Sequence, residues 1–272
     1  MSHPTPVIEV SKLSLSMSGK ALLNAVDFQI QKGERIAIIG ANGAGKTTLL
    51  RCLLGILAPD HGEVKIHGNN ITTLPRASVA QNIAYVPQSL SSEIHFCVQD
   101  FILMSRYSHS SIGSGPLPKN HDDLAIAQLM MQCTGIDHLA HRSLSTLSGG
   151  ERQKAYIAAA LTQQSSILLL DEPAAHLDPK QRESIQRLLG EISQTENLTI
   201  ITVTHDLNWA AMHFDRIIGM SSGQLLYDAT PSELITTENL QHLFGATWDI
   251  QAHPHSGSPM VIPTHHSHSR HD

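Results

Sequence analysis

Long apolar runs are missing from this sequence. No stretch approaches the ~18 consecutive apolar residues that a membrane-spanning helix needs, and the opening Met1-Ser2-His3-Pro4-Thr5-Pro6 has neither the basic start nor the apolar stretch of a secretory signal. A soluble chain that stays in the cytoplasm is expected. Cysteine is scarce as well: Cys52, Cys97 and Cys133 are odd in number and too far apart for a CxxC metal knuckle, so no disulfide framework is expected. They read as buried small apolar residues. Positive charge is in deficit, 18 Lys and Arg against 24 Asp and Glu for a net charge of -6, which argues against a protein that grips nucleic acid through its overall field. With 41% hydrophobic and 15% charged residues, the 272-residue chain suits one large α/β domain or two small ones rather than a disordered segment. No internal repeat is present. What the chain does have in excess is histidine, 18 in all, with His253, His255, His265, His266, His268 and His271 near its end.

Short apolar or alternating runs at 7–10, 26–30, 35–39, 63–66 and 83–86, separated by turn signals such as Ser18-Gly19 and Lys32-Gly33, read as strands. From Gln88 to about Gln164 strand signals vanish and segments such as Asp122 to Cys133 read as helix, interrupted by a Ser/Gly/Pro-rich loop at 108–118. A helical subdomain inserted at about 89–164 is expected. Continuous apolar runs return at 167–170 and 199–203, the signature of strands buried on both faces of a parallel sheet. Between them Asp178 caps and Pro179 starts a helix with Ile185, Leu188, Leu189 and Ile192 on one face, implying a right-handed parallel crossover. After about Gln251 the residues have little periodicity, so a loosely held tail is expected from there to residue 272.

The third strand runs straight into Gly40-Ala41-Asn42-Gly43-Ala44-Gly45-Lys46-Thr47-Thr48, and Leu49, Leu50, Leu53 and Leu54 follow at helical spacing. This is the GxxxxGK[ST] pattern: amides bared by glycines wrap phosphate oxygens at a helix N-terminus, Lys46 reaches the β- and γ-phosphates, and the Thr47 hydroxyl binds Mg²⁺. Ile167-Leu168-Leu169-Leu170-Asp171-Glu172-Pro173 sets two acids at the carboxyl end of a buried strand, where ligands of open α/β sheets collect. Asp171 suits a Mg²⁺ held through water, and Glu172 suits a general base on the attacking water. In isolation the pair would be an ordinary solvated turn. His205, in Thr204-His205-Asp206, ends the next strand and would reach the γ-phosphate; alone it would read as a structural histidine. Gln88 after Tyr85-Val86-Pro87 ends another strand, within reach of Mg²⁺ or water, although a lone glutamine there reads as plain surface. Finally, in Leu147-Ser148-Gly149-Gly150-Glu151-Arg152-Gln153, Ser148 starts a helix whose first amides the glycines leave bare, a second anion site.

Taken in order, Gly40 to Thr48, Gln88, Leu147 to Gln153, Ile167 to Pro173, Ala175-His176-Leu177-Asp178 and His205 resemble the ATP-binding cassette ATPases over nearly the whole chain. The resemblance implies a P-loop NTPase fold, a RecA-like α/β core with an antiparallel β subdomain and an inserted helical subdomain, spanning 1–250. In that family two cassettes sandwich two ATP molecules head to tail. Ser148 and Gly150 would then meet the γ-phosphate bound by a second copy, the Asp178 loop would cross the interface, and Gln88 would link the nucleotide to a membrane partner. Gly40, Asn42, Gly43, Ala44, Gly45, Lys46, Thr47 and Thr48 would bind ATP; Thr47, Gln88 and Asp171 would hold Mg²⁺; Glu172, His205 and Gln88 would serve catalysis. One departure is Met17, which stands where the family usually supplies an aromatic ring for adenine, a softer and less geometric contact.

Within the family, Leu103 to His109, Glu172 to Asp178 and Thr204-His205-Asp206-Leu207-Asn208 are similar to importers of iron-siderophores, haem and cobalamin, and Leu243-Phe244-Gly245-Ala246 followed by His255 to Pro263 is similar to the carboxyl-terminal hairpin of that subgroup. Ala174, ordinarily Thr there, is a mild departure. The resemblance implies an ATPase subunit on the cytoplasmic face of the cell membrane, attached to transmembrane permease subunits and served indirectly by a periplasmic or surface binding protein, with no nucleic acid involved. A DNA-repair cassette would carry a coiled-coil or zinc insertion, for which the stretch from Gln88 to Leu147 is too short. An iron-sulfur assembly ATPase, with soluble partners, is the closer alternative, alongside an importer of another metal or an oxyanion. The histidine-rich end suits Zn²⁺, Ni²⁺ or Cu²⁺ by ligand type, but its loose spacing equally fits an incidental histidine-rich segment.

Overall fold

In the computed structural model, which describes residues 5–88, 96–109, 121–175, 177–195 and 198–263, β1 (Ile8–Met17) and β2 (Lys20–Ile30) form an antiparallel hairpin. Ser18 and Gly19 both take left-handed backbone, φ 51° and 78°, which matches the twist of the strands they join. Both strands run well beyond the expected 7–10 and 26–30. The reason lies in the alternation: Leu13 and Leu15 are buried between outward-facing Lys12, Ser14 and Ser16, a strand with one buried and one open face that apolar runs alone do not reveal. β3 (Arg35–Ile39) leads into α1 (Lys46–Leu53), and β4 (His61–Ile66) with β5 (Asn69–Asn70) completes a four-stranded antiparallel sheet in the order β2-β1-β4-β5.

After α2 (Arg76–Asn82) and β6 (Ile83–Val86) come the helices α3 (Val98–Met104), α4 (His121–Thr134) and α5 (Gly149–Thr162), which pack on one another. The helix expected at 122–133 is α4. Arg106, buried in a short turn, donates to Asp123 of α4 at 2.6 Å and to the Thr162 carbonyl at the end of α5 at 3.2 Å, tying three segments together. Breaking such a pair would strand a buried charge. Cys133 corrects the expectation of buried cysteines: α4 buries Ala127, Met131 and Thr134, so Cys133 falls on the exposed face, Cys97 is half-buried, and only Cys52 is fully enclosed.

β7 (Ile167–Asp171), α6 (Pro179–Thr195), β8 (Thr199–Val203), α7 (Leu207–His213), β9 (Arg216–Ser221) and β10 (Gln224–Ala229) complete a second sheet of order β10-β9-β3-β8-β7-β6, parallel throughout except for β10. Its strands are apolar on both faces because both are covered. Ala37, Ile39, Leu168, Leu170 and Ile200 pack with α5, α6 and α7, while Ile36, Ile38, Ile167, Leu169 and Ile201 pack with α1 and the antiparallel sheet. The order places the carboxyl ends of β3, β8, β7 and β6 side by side.

α8 (Pro231–Leu234) and α9 (Thr237–Phe244) lead to β11 (Trp248–Ala252) and β12 (Pro259–Pro263), an antiparallel hairpin. The loosely held tail expected after about Gln251 is therefore corrected as far as Pro263, where the hairpin that the resemblance implies is found, and the division expected at 250 falls inside β11. Trp248 packs edge-on against Phe244 at 5.6 Å, and Val261 is buried in the main core; a few large side chains hold this segment where periodicity is weak. His265, His266, His268 and His271 lie outside the described residues. Among the described residues no helix is long and apolar enough to cross a membrane, and no grouping of three or more metal-binding side chains occurs.

Candidate functional site

The loop after β3 is shaped by three left-handed glycines, Gly40 (φ 152°), Gly43 (φ 80°) and Gly45 (φ 102°). A Cβ at Gly40 would come within 2.2 Å of the Met220 carbonyl oxygen, and one at Gly45 within 2.8 Å of the Leu22 carbonyl oxygen. No side chain fits at either position. The loop is thereby pressed against β9 and β2, and the Gly223 amide donates to the Ala44 carbonyl at 3.0 Å. Lys46, only 7% exposed, folds back over the loop and donates from Nζ to the carbonyls of Gly40 (2.8 Å) and Ala41 (3.0 Å). Burial lowers its pKa, against the raising pull of the charges on Glu172 and Asp171.

These residues line one side of a cleft of about 650 Å³ that includes Asn42 to Thr48, Lys20, Leu22, Gln88, Glu172, His205 and Gly223. Glu172 follows β7 with its backbone at φ 49°, a strained conformation of the kind found where a side chain must be aimed. Its amide donates to the Val203 carbonyl of β8 at 2.9 Å. Both carboxylate oxygens are engaged: Oε2 accepts from Gln88 Nε2 at 2.9 Å, and Oε1 lies 2.7 Å from His205 Nε2. Asp171, buried at the end of β7, has its pKa raised by burial and by the neighbouring charge of Glu172. The Tyr85 hydroxyl sits 3.5 Å from its Oδ2. Four strand ends thus bring Gly40 to Thr48, Gln88, Asp171, Glu172 and His205 into one neighbourhood.

Ser148, Gly150 and Asp178 are not among the residues lining this cleft. Ser148 caps α5 in a reciprocal box, its Oγ accepting from the Glu151 amide at 3.3 Å while its own amide donates to Glu151 Oε2 at 2.8 Å. Gly150 has a packing reason as well, since a Cβ there would meet the Gln181 side chain at 2.8 Å. Asp178 accepts from the Gln181 amide at 2.9 Å and so caps α6. Met17 is half-exposed at the end of β1 and pairs with Lys20, which does line the cleft.

Two features of the site escaped the sequence reading. The Ser222-Gly223 turn backs the glycine loop, and its signal was a turn pair between two apolar runs. Glu172 and His205 also border a second cleft of about 650 Å³, lined from the far side by Trp248, Val261 and Pro263 of the terminal hairpin and by Asn208.

The sequence pattern of the ABC transporter family matches residues 23–175. The ferric enterobactin transport ATP-binding protein FepC of Escherichia coli (strain K12) is 34% identical, over 97% of this chain and 96% of its own length. The hemin import ATP-binding protein HmuV of Photobacterium damsela subsp. piscicida is 33% identical, over 96% of this chain and 97% of its own. Among solved structures, a chain of a metal-chelate type ABC transporter in an inward-facing conformation superposes with a TM-score of 0.83 at 27% identity, covering 96% of this chain and 98% of that one. With more than half of the chain inside the family pattern and relatives of this similarity matched almost end to end, the chain belongs to the ABC transporter family.

Proposed function

We propose that this chain is the ATP-hydrolysing subunit of an importer, driving uptake of an iron-siderophore, haem or cobalamin type substrate through a separate permease. The observation that carries the hydrolytic reading is Glu172, aimed by a strained backbone at the mouth of the glycine-loop cleft between Gln88 and His205. The import reading rests on relatives described as ferric enterobactin transport and hemin import ATP-binding proteins. It places the chain on the cytoplasmic face of the cell membrane, with a periplasmic or surface binding protein as an indirect partner and no nucleic acid.

In this reading the amides of Gly40 to Thr48 wrap the phosphates of ATP and Lys46 Nζ exchanges its two carbonyl partners for phosphate oxygens. A buried ammonium bonded only to neutral carbonyls suits an arriving anion. The donor set at the strand ends fits Mg²⁺: Thr47, Gln88 and Asp171 offer hard oxygens, and a cation would relieve the burial and like-charge cost that raises the Asp171 pKa. Bound there, Mg²⁺ would neutralise charge on the phosphates. Glu172 gives up one of its two partners to orient and deprotonate water, which attacks the γ-phosphorus to yield ADP and phosphate; His205 remains beside the transferred group. Because Ser148, Gly150 and Asp178 stand apart from the cleft of their own chain, they are assigned to the nucleotide of a second copy in a head-to-tail dimer.

The test is Glu172→Gln. ATP and Mg²⁺ binding should persist while turnover falls by the ~10²–10⁴-fold that a general base contributes. Wild-type turnover in that variant would remove Glu172 from the mechanism, and co-purification with soluble assembly proteins instead of a permease would overturn the import reading.

A further inference from the structure

The outer edge of β12 is closed in an unusual way. Positions 259, 261 and 263 share one side of the strand, and two of them, Pro259 and Pro263, have no N–H to offer. The remaining outward amide, that of Val261, donates to Asn208 Oδ1 at 2.7 Å, while Asn208 Nδ2 donates to the Val261 carbonyl at 3.1 Å. A single side chain thus satisfies both backbone groups of one residue, as a neighbouring strand would.

Asn208 lies in the first turn of α7, three residues after His205. On one side of His205 the Thr204 amide is anchored to the Ile38 carbonyl of β3 at 3.2 Å. On the other side the Asp206 carboxylate caps α7 through the Trp209 amide at 2.9 Å and accepts from Gln186 of α6 at 3.2 Å. Trp209 buries α7 in the core, but its first turn gains its hold on the terminal hairpin through Asn208. The Glu172–His205 pair stands between the two clefts, and the hairpin's Trp248, Val261 and Pro263 wall the second.

We propose that Asn208 is a positioning residue that ties the carboxyl-terminal hairpin to the first turn of α7, so that the hairpin sets the placement of His205 against Glu172 and thereby the rate of ATP hydrolysis. The inference rests on the ATPase reading above. Asn208 does not line the glycine-loop cleft, so ATP binding does not depend on it.

The experiment is a double-mutant cycle on the full-length chain with Asn208→Ala and Val261→Pro, the second removing the one outward amide from a strand edge that already tolerates proline at both neighbouring outward positions. ATPase rates are expressed per ATP-binding site, so an unfolded fraction drops out. Each single variant should lower kcat by about 10-fold, within the ~10²-fold that a 1 Å misplacement costs, with KM for ATP unchanged. The double variant should be no slower than the slower single, because both remove one clamp. Unchanged kcat in Asn208→Ala, a matching rise in KM, or multiplying effects in the double variant would overturn the proposal. Glu172→Gln runs alongside: wild-type hydrolysis lost in that variant but kept in Asn208→Ala defeats the clamp alone, whereas a wild-type chain that binds ATP without hydrolysing it defeats the ATPase reading and the clamp with it.

Discussion

At Glu172 the carboxylate is stabilised by two polar neighbours, one on each oxygen, while its own backbone sits in a conformation that non-glycine residues adopt only at some cost, of order 1–3 kcal/mol. The surrounding fold sustains that cost through the hydrogen bond that the Glu172 amide donates to β8, and both carboxylate oxygens are occupied. Lys46 is likewise engaged, its ammonium bonded to two carbonyls of its own loop. Met17 contrasts with both, being half-exposed at the end of β1. Replacing it by Tyr should tighten ATP by about 1 kcal/mol, the order of an aromatic contact beyond area burial. Isothermal titration with ATP and GTP checks this, and Met17→Ala leaving both affinities untouched would place the base elsewhere.

Among the elements, α5 shows how one reciprocal pair stabilises a helix start. Ser148 and Glu151 satisfy each other's amides, and hydrogen bonds from the Ser148 amide and hydroxyl hold the Glu151 carboxyl below its ordinary value of 4.5. A carboxyl with a lowered folded-state pKa contributes stability that is present above the unfolded value and lost as pH falls through the folded one. Glu151→Gln should therefore cost roughly 0.5 kcal/mol at neutral pH, a solvent-screened contribution, and the difference from the wild type should close as pH drops below 4.5. Urea titrations at a series of pH values measure it. At this scale the sequence was legible where a turn or cap is local. Ser18-Gly19, Ser148, Asp178-Pro179 and Ser222-Gly223 carry their own conformational instruction, while the docking of these segments does not, being set by partners distant in the chain: the Gly223 amide by Ala44, Val261 by Asn208.

For the molecule as a whole, Ser148 and Gly150 stand apart from the chain's own glycine-loop cleft, and in the proposed head-to-tail dimer they would come from a second copy. Mixing Lys46→Ala subunits with Ser148→Arg subunits leaves one intact composite site in each mixed dimer. The mixture should hydrolyse ATP while each variant alone does not, and wild-type rates at low concentration should rise with the square of concentration. Linear rates with no recovery on mixing would make the active unit a monomer.

The sequence by itself determined the phosphate loop, the two acids after Leu170, and the identity of Gln88 and His205, because each is a residue type at the end of a strand whose apolar run is readable locally. It also determined the parallel sheet, since only a strand covered on both faces can be apolar throughout. Which strand ends become neighbours was decided by tertiary structure: the order β3-β8-β7-β6 brings Glu172 between Gln88 and His205 although 84 positions separate Gln88 from Glu172. The grip of Asn208 on Val261 was decided there too. A side chain that replaces a strand partner leaves no periodicity to read, and its meaning appears only when the chain has brought the two together.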